Sequence, residues 1–363
     1  MTENLLERHV RTRDPHIPQQ IDALIELAGG GSSENFDLYR ELLRSAVQLI
    51  AENATRWDAK IATAALSEMV NGFGWLRRFE RRRKCSVFGS ARTQPGEPDY
   101  TLATEIGRRL AQEGFMVITG AGAGAMQAAN EGAGPDDSLG FNITLPFEQE
   151  PNRVMADRPG LMAFRFFFTR KLFFIKESDA IIVLPGGFGT ADELFEALTL
   201  MQTGKTPIVP IVLIDHDHSG YWDDWLRFVE GRMRDGGYIS KSDTSLYRIA
   251  HDAESAIALI CRFYSNYHSM RWIDNELRLR IAQPLEPEKI EALNREFADI
   301  IKRGAIVQAG PHEEEQDEPE LLSMSRLAFE FDRRGYGRLR ELIAELNNGA
   351  LAAHCTTNPL QTR

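Results

Sequence analysis

Between residues 85 and 214 short apolar runs alternate with stretches of helical periodicity, and this alternation constrains the fold more than any other feature. The pattern is typical of an α/β protein with a parallel sheet and helices on both faces. The apolar runs predict strands at residues 85–89, 115–119, 140–144, 180–184 and 208–214. The helical stretches lie near residues 101–113, 124–133, 170–178, 190–203 and 221–234. We therefore expect a ligand beyond the carboxyl ends of the strands.

Both flanks of this region follow other patterns. Residues 1–83 predict a helical extension with a glycine-rich break, and residues 266–348 predict a small α/β appendage. The appendage is expected to have strands at 277–282, 305–308 and 326–331 and helices at 286–303 and 336–346. The domain with the parallel sheet then covers residues 84–265, and residues 349–363 are expected to form a flexible tail.

Two charged segments in these flanks allow two interpretations each. The basic run at residues 77–84 is interpreted as a solvated helix end, where cations interact favourably with the helix dipole. The alternative for this run is a contact with a phosphate or a partner. The acidic segment 313–318 is interpreted as a solvated connector, and a lid or regulatory surface is the alternative.

Composition narrows the possible partners and the compartment. The 363 residues include 53 acidic and 42 basic side chains, and a formal charge of -11 argues against a general nucleic-acid-binding protein. No apolar stretch approaches the length of a membrane span, and residues 1–13 lack the apolar core of a secretory signal. Cys85, Cys261 and Cys355 are far apart, which indicates a reducing compartment. We therefore predict a cytoplasmic protein without a membrane or nucleic-acid partner.

The first of two glycine-rich loops follows the second predicted strand. Gly120, Gly122 and Gly124 allow the backbone to approach a phosphate, and the next helix presents free N–H groups. The loop fits the loose dinucleotide pattern G-x-G-x-x-A. However, the following strand ends in Asn-Ile-Thr at residues 142–144, without the acidic residue that a dinucleotide ribose requires. Nicotinamide binding is therefore not expected, and tight packing of strand against helix without a ligand is the alternative for this loop.

The second loop, Pro-Gly-Gly-Phe-Gly-Thr-Ala-Asp-Glu at residues 185–193, lies between the fourth predicted strand and a helix. Gly186, Gly187 and Gly189 permit close approach of a ligand, and Thr190 can cap the helix or bind an oxyanion. Glu193 is expected in the first helical turn, as a capping charge or as a catalytic carboxylate. Two such loops at adjacent strand ends predict one phosphorylated ligand between them.

This second loop matches the P-G-G-x-G-T-x-x-E motif and resembles the LOG-type nucleotide phosphoribohydrolases, long mislabelled lysine decarboxylases. The Arg170-Lys171 pair, the loop at Gly120 and the turn at Gly89-Ser90 also correspond to this family. Residues 142–149 and the long flanks are similar to its larger bacterial branch, often labelled AMP nucleosidase or nucleotide 5′-monophosphate nucleosidase. The motifs cover roughly residues 85–265.

The resemblance implies a Rossmann-like fold, a homo-oligomer of at least two subunits, and hydrolysis of an AMP-like nucleoside 5′-monophosphate to free base and ribose 5-phosphate. It implies that Arg170 and Glu193 are catalytic. The residues that it places at the substrate are Ser90, Gly120, Gly122, Gly124, Glu148, Lys171, Gly186, Gly187, Gly189, Thr190 and Thr199. The chain departs from the family at Ala121, where a third glycine is usual, and at Phe168, where small plant-type members have histidine.

The expected chemistry requires no metal or other cofactor. Glycosidic cleavage passes through an oxocarbenium-like sugar, which the Glu193 carboxylate can stabilise, while Arg170 can hold the 5′-phosphate or contact the leaving base. Lys171 either packs against the protein or contacts the ligand, and one phenylalanine near Arg170 could stack on a base. Residues 215–218, Asp-His-Asp-His, are interpreted as a polar turn rather than a metal site. The alternative function is a binding or carrier protein for a phosphorylated nucleotide or a pterin-type ligand.

Overall fold

A computed structural model describes residues 16–145, 150–216 and 219–348 of the protein. The chain divides into two compact units, the first ending at Asn71 and the second beginning at Gly72. The domain limits predicted at residues 83 and 265 remain predictions.

The first unit is helical, as expected. It contains α1 (Ile17–Leu27), α2 (Phe36–Ala51) and most of α3 (Arg56–Leu76). Ile21 and Ile25 lie one turn apart and are the buried residues of α1. The Arg40 guanidinium on α2 donates to the Asp22 carboxylate on α1 at 2.6 Å, and this ion pair joins the two helices.

The second unit is built on a parallel sheet, which confirms the predicted fold class. Its strands are β1 (Lys84–Phe88), β2 (Met116–Thr119), β3 (Ser138–Ile143), β4 (Leu161–Phe164), β5 (Ala180–Val183), β6 (Ile211–Ile214) and β7 (Tyr247–Ala250). The strands are ordered β4-β3-β2-β1-β5-β6-β7 and all neighbours pair in parallel. Strands β2, β3 and β4 follow β1 toward one edge of the sheet, and β5, β6 and β7 lie on the other side of β1. The loops after β1 and β5 therefore run in opposite directions and leave a crevice between them, where ligands bind in such folds.

Two strands of this sheet were not predicted. They are β4 and β7, which form its two edges and have four residues each. Their middle residues are partly buried or exposed, because an edge strand has one neighbour and its faces are less completely covered. Neither strand therefore shows the continuous apolar run that marked the central strands.

Helices cover both faces of the sheet. They are α4 (Pro98–Gln112), α5 (Ala125–Ala133), α6 (Phe167–Glu177), α7 (Phe188–Gln202), α8 (Tyr221–Phe228) and α9 (Ala253–Phe263). On one face α4, α5 and α9 pack on alternate strand residues such as Val87 and Ile182. The backbones of α4 and α5 approach closely, since a Cβ on Gly107 would lie 2.0 Å from the Ala129 carbonyl oxygen. On the other face α6 packs Phe173 and Phe174 against Phe141.

In the described part of the C-terminal appendage there are four antiparallel strands and two α-helices. These are β8 (Tyr267–Ile273), β9 (Glu276–Ile281), α10 (Pro287–Glu296), β10 (Ile301–Ala309), β11 (Ser325–Phe331) and α11 (Tyr336–Leu346), with strand order β10-β11-β9-β8. The prediction of a helix over 286–303 extended too far, and β8 was missed. The Asn294 side chain bonds both the N–H and the carbonyl of Ile306, at 2.7 and 2.9 Å, which holds β10 beside α10.

The structure differs from the expected role of the acidic segment and of the end of the basic run, whereas Arg77, Arg78 and Arg81 are exposed just after α3, as expected of a solvated helix end. The acidic segment is anchored rather than solvated: Glu315 is buried between Arg280 and Arg326, and Asp317 and Glu318 bond Arg271. The end of the basic run is also buried, because β1 begins there and enters the sheet. The fully buried Lys84 ammonium lies 3.3 Å from the Glu177 carboxylate, and the Arg83 guanidinium lies 3.6 Å from the centre of the Tyr264 ring.

No helix in the described part of the chain is both long and apolar enough to cross a membrane.

Candidate active site

A cavity of about 810 Å³ lies at the carboxyl ends of β1 and β5. Of the residues predicted to bind or transform substrate, those that line it are Ser90, Gly120, Arg170, Gly186, Gly187, Gly189, Thr190 and Glu193. Gly122, Gly124, Lys171 and Thr199 are not among its lining residues. Glu148 lies outside the described residues. The roles assigned to all of these residues remain predictions.

The loop between β5 and α7 lines this cavity at the point where the helix begins. Gly187 is the N-cap of α7, and no side chain of the described residues caps the helix. A Cβ on Gly186 would lie 2.2 Å from the Thr190 hydroxyl, so this position requires glycine for packing. Cβ atoms on Gly187 and Gly189 would meet only open space. Their backbone is therefore accessible to a ligand, and the helix N-terminus favours an anion there.

The glycine loop after β2 is already bonded within the protein. The Ala121 N–H donates to the Thr119 hydroxyl at 2.9 Å, and the Asn152 amide donates to the Gly122 carbonyl at 3.0 Å. A Cβ on Gly124 would lie 2.3 Å from the carbonyl oxygen of Ser90, whose backbone packs against this loop. Gly122 and Gly124 thus fit the packing alternative, and a substrate contact through them has no support from the cavity.

The two candidate catalytic side chains meet across the cavity. Arg170 on α6 and Glu193 on α7 place Nη2 and Oε1 3.8 Å apart, and their side chains are 13% and 7% exposed. The Arg170 guanidinium also lies 5.1 Å from the centre of the Phe167 ring and 5.6 Å from that of Phe174. Arg170 Nε and Glu193 Oε2 are buried and have no hydrogen-bond partner within the described residues. Buried polar groups without partners are costly, so an unpartnered atom on each side chain of this pair marks the site as unusual.

Burial raises the pKa of Glu193 to about 7, although the charges of Lys171 and Arg170 oppose this shift. Burial also lowers the pKa of Arg170. Glu193 lies in the second turn of α7 rather than the first, because the helix begins at Phe188. The helix dipole acts mainly within the first turn, so its position gives little support to a capping role.

Lys171 and Thr199 do not line the cavity that contains the candidate pair Arg170 and Glu193. The Lys171 ammonium bonds the carboxylates of Asp192 and Glu196 at 2.6 and 2.9 Å. Burial lowers the pKa of Lys171, but these hydrogen bonds outweigh it and the net shift is upward. Thr199 is exposed on α7, six residues beyond Glu193. Lys171 therefore fits the packing alternative, in which it joins α6 to α7.

Several residues of the cavity wall were not predicted from the sequence: Phe88, Arg92 and Tyr221 line it. Phe167 and Phe174, two of the phenylalanines near Arg170 that could stack on a base, also line it. Arg92 follows the turn after β1, and its position beyond a strand end was the only signal that could have indicated it. Tyr221 begins α8, far along the chain, and no local pattern pointed to it.

The loop after β6 is hydrogen-bonded, and part of it lies outside the described residues. Asp215 is 3% exposed, and its carboxylate lies 3.3 Å from His251 Nδ1 and accepts a bond from the Ser219 hydroxyl. His216 Nδ1 lies 2.8 Å from the Asp99 carboxylate. Within the described ranges no three His, Cys, Asp or Glu side chains are grouped as metal ligands would be. The absence of a metal remains a prediction.

Comparison with known proteins identifies several similar chains. A family model described as "Possible lysine decarboxylase" matches residues 123–260. The cytokinin riboside 5′-monophosphate phosphoribohydrolase of Mycobacterium tuberculosis is 31% identical over 162 residues, which cover 43% of this chain and 82% of that protein. The rice protein (Oryza sativa subsp. japonica) named cytokinin riboside 5′-monophosphate phosphoribohydrolase LOG is 26% identical over 211 residues, 58% of this chain and 85% of its own length.

Among solved structures, the molybdenum cofactor binding protein of Rippkaea orientalis is similar, at 23% identity and a TM-score of 0.36 over 50% of this chain and 96% of that one.

Proposed function

Because this chain belongs to the LOG family of phosphoribohydrolases, we propose that it hydrolyses the N-glycosidic bond of an AMP-like nucleoside 5′-monophosphate. The products are the free base and ribose 5-phosphate. The observation that carries this proposal is the buried pair of Arg170 and Glu193, 3.8 Å apart beside an uncapped helix N-terminus. The backbone N–H groups at the start of α7 favour an anion, and the Glu193 carboxylate lies nearby. This arrangement suits a substrate that has a phosphate at one end and a sugar carbon that becomes positively charged during the reaction.

In the proposed reaction the bond between the sugar C1′ and the base nitrogen breaks, and the base leaves with the electron pair. Glu193 stabilises the oxocarbenium-like sugar and accepts a proton from the attacking water, whose oxygen forms the new bond to C1′. The departing base takes up one proton from solvent, which balances the proton that Glu193 accepts and then releases. The free N–H groups at Gly187 and Gly189 hold the 5′-phosphate. Arg170 lies beside Glu193, so the part of the substrate that it contacts adjoins the reacting carbon.

The first test compares AMP with adenosine. Removing the 5′-phosphate deletes at least one charge-assisted hydrogen bond of about 1.5–3 kcal/mol. We therefore expect kcat/KM to fall by at least about tenfold for adenosine, a lower bound that follows from the same range. Free base is measured by chromatography after incubation with each nucleoside monophosphate and each nucleoside. Equal rates on AMP and adenosine would contradict the phosphate site, and no free base from any monophosphate would exclude the proposed reaction.

A second expectation concerns pH. The pKa of Glu193 is raised to about 7, so the carboxylate form becomes predominant only above that pH. If Glu193 accepts the proton from water, kcat should rise about tenfold per pH unit below about pH 7 and level off above it. Initial rates with saturating AMP between about pH 5 and 9 measure this profile. A flat profile on the acidic side of neutrality would argue that Glu193 is not the base.

A binding or carrier protein for a phosphorylated ligand is the second candidate function. It shares the fold and the anion-binding loop, but it gives no role to a buried carboxylate beside the ligand. The decarboxylase description is not supported by Lys171, since its ammonium is bonded by two carboxylates that favour the charged form. A Schiff base with pyridoxal phosphate requires a neutral lysine amine. The homo-oligomer and the cytoplasmic location also remain predictions.

A further inference from the structure

We propose that Tyr221 is a positioning residue that orients the phosphate-binding loop. Its hydroxyl donates a hydrogen bond of 2.7 Å to the carbonyl oxygen of Gly186, and its side chain lines the cavity. Tyr221 belongs to the segment after β6, whereas Gly186 belongs to the loop after β5. The inference rests on the proposed function, in which this loop holds a substrate phosphate.

The geometry of the peptide unit explains how one hydrogen bond can orient the loop. In a trans peptide the carbonyl of one residue and the N–H of the next point in opposite directions within one plane. The bond to Tyr221 fixes the direction of the Gly186 carbonyl, so the Gly187 N–H is directed away from Tyr221. Within the described residues no acceptor takes a hydrogen bond from the Gly187 N–H. This N–H is therefore held in one orientation and left available to an anion.

Tyr221 is itself held in place from β6. The Ser219 hydroxyl accepts a hydrogen bond of 3.2 Å from the Tyr221 N–H and donates to the carboxylate of Asp215. Asp215 is 3% exposed at the end of β6, and His251 Nδ1 lies 3.3 Å from its other oxygen. The Tyr221 ring packs edge-on against Trp222, with ring centres 4.9 Å apart. Asp215 and Ser219, on either side of the residues that the structure does not describe, thus support Tyr221 beside the glycine loop.

Such support matters because the loop consists largely of glycine. Gly186 and Gly187, the last two residues before α7, have no side chain to restrict them, and glycine has the largest conformational freedom of any residue. A loop that samples several orientations must be ordered when it binds phosphate, which weakens binding. The tyrosine bond restricts the loop before the substrate arrives, and it does so without touching the reacting carbon.

The test is Tyr221→Phe, which keeps the ring and removes the hydroxyl. A net hydrogen bond of ordinary strength predicts a rise of roughly three- to tenfold in KM for AMP, with kcat changed less than about twofold. The affinity for inorganic phosphate, measured by calorimetry, should weaken by the same factor. Tyr238→Phe is the matched control, since Tyr238 is 82% exposed and does not line the cavity. It should leave both quantities unchanged.

The calorimetric arm separates this inference from the proposed reaction. If the wild-type protein binds phosphate but cleaves no monophosphate, the proposed reaction fails and the phosphate affinity of Tyr221→Phe still tests the tyrosine. Ser219→Ala provides a second variant, expected to weaken phosphate binding in the same direction by loosening Tyr221. Unchanged phosphate affinity in the folded Tyr221→Phe protein, or a loss in kcat with KM unchanged, would overturn the positioning role.

Discussion

Glu193→Gln is expected to lower the turnover of a nucleoside 5′-monophosphate by at least about a hundredfold. Glutamine keeps the size of the side chain but cannot carry the negative charge that stabilises the sugar cation or accept the proton of water. The substrate affinity should change by less than about tenfold, since the proposed phosphate site is the N-terminus of α7 rather than Glu193. Single-turnover kinetics and equilibrium binding of AMP measure the two quantities separately.

Asp192→Asn is the matched control for this experiment. Asp192 precedes Glu193 on α7, is 61% exposed in its side chain and bonds Lys171 rather than facing the cavity. Its substitution removes one negative charge from the same helix turn and should leave turnover within about fivefold, because an exposed ion pair contributes at most about 1 kcal/mol. A Glu193→Gln protein that retained nearly full turnover would instead favour a binding protein.

The thermal stability of Glu193→Gln shows whether Glu193 acts as a buried carboxylate or as a helix-capping charge. The pKa of Glu193 in the folded protein, about 7, is above its ordinary value of 4.5, so the folded state binds the proton more tightly than the unfolded state. The free energy of unfolding therefore decreases as the pH rises from about 4.5 to 7, and the cost persists above pH 7. Glutamine removes this cost, so the variant should melt at a higher temperature than the wild type at about pH 8. A capping charge would give the opposite sign.

Glu177→Gln is expected to reduce the free energy of unfolding by about 3 kcal/mol. The Glu177 carboxylate is 3% exposed in its side chain and lies 3.3 Å from the fully buried Lys84 ammonium. Neutralising the carboxylate leaves the lysine charge in a low-dielectric interior without this counter-ion. Removing one partner of a buried ion pair costs more stability than replacing both partners. Urea denaturation followed by circular dichroism measures the loss.

Two further variants test whether the buried pair is responsible. Lys176 bonds the same carboxylate at 2.6 Å but is 50% exposed, so Lys176→Met should cost less than about 1 kcal/mol. The double variant Lys84→Met/Glu177→Gln removes both buried charges and should recover part of the loss, with a coupling energy above about 1 kcal/mol. A Glu177→Gln protein within about 0.5 kcal/mol of the wild type would contradict the argument, since that is the usual effect of a surface substitution.

Local patterns in the sequence determined the type and order of the central elements. Strands β1, β2, β3, β5 and β6 were predicted, because a parallel strand covered on both faces is a continuous apolar run whatever its neighbours are. The same patterns placed Arg170 and the loop at 185–193 at strand ends and helix starts. Family resemblance assigned Arg170 and Glu193 to one site, and the structure brings them within 3.8 Å of each other.

Only the tertiary structure decided which polar groups these elements bury and which loops meet. Lys84 belongs to a basic run whose composition predicts exposure to solvent. In the structure it is the first residue of β1 and is buried beside Glu177. Both loops are rich in glycine, but their surroundings differ. The backbone of Ser90 packs against Gly124 in the loop after β2, whereas a Cβ on Gly187 in the loop after β5 would meet open space. The bond from Tyr221 to Gly186 joins positions 35 residues apart. Local periodicity predicts whether a segment is a helix or a strand and which of its faces is apolar. Burial, pKa shifts and contacts between loops depend on segments that are distant in the sequence and that only folding brings together.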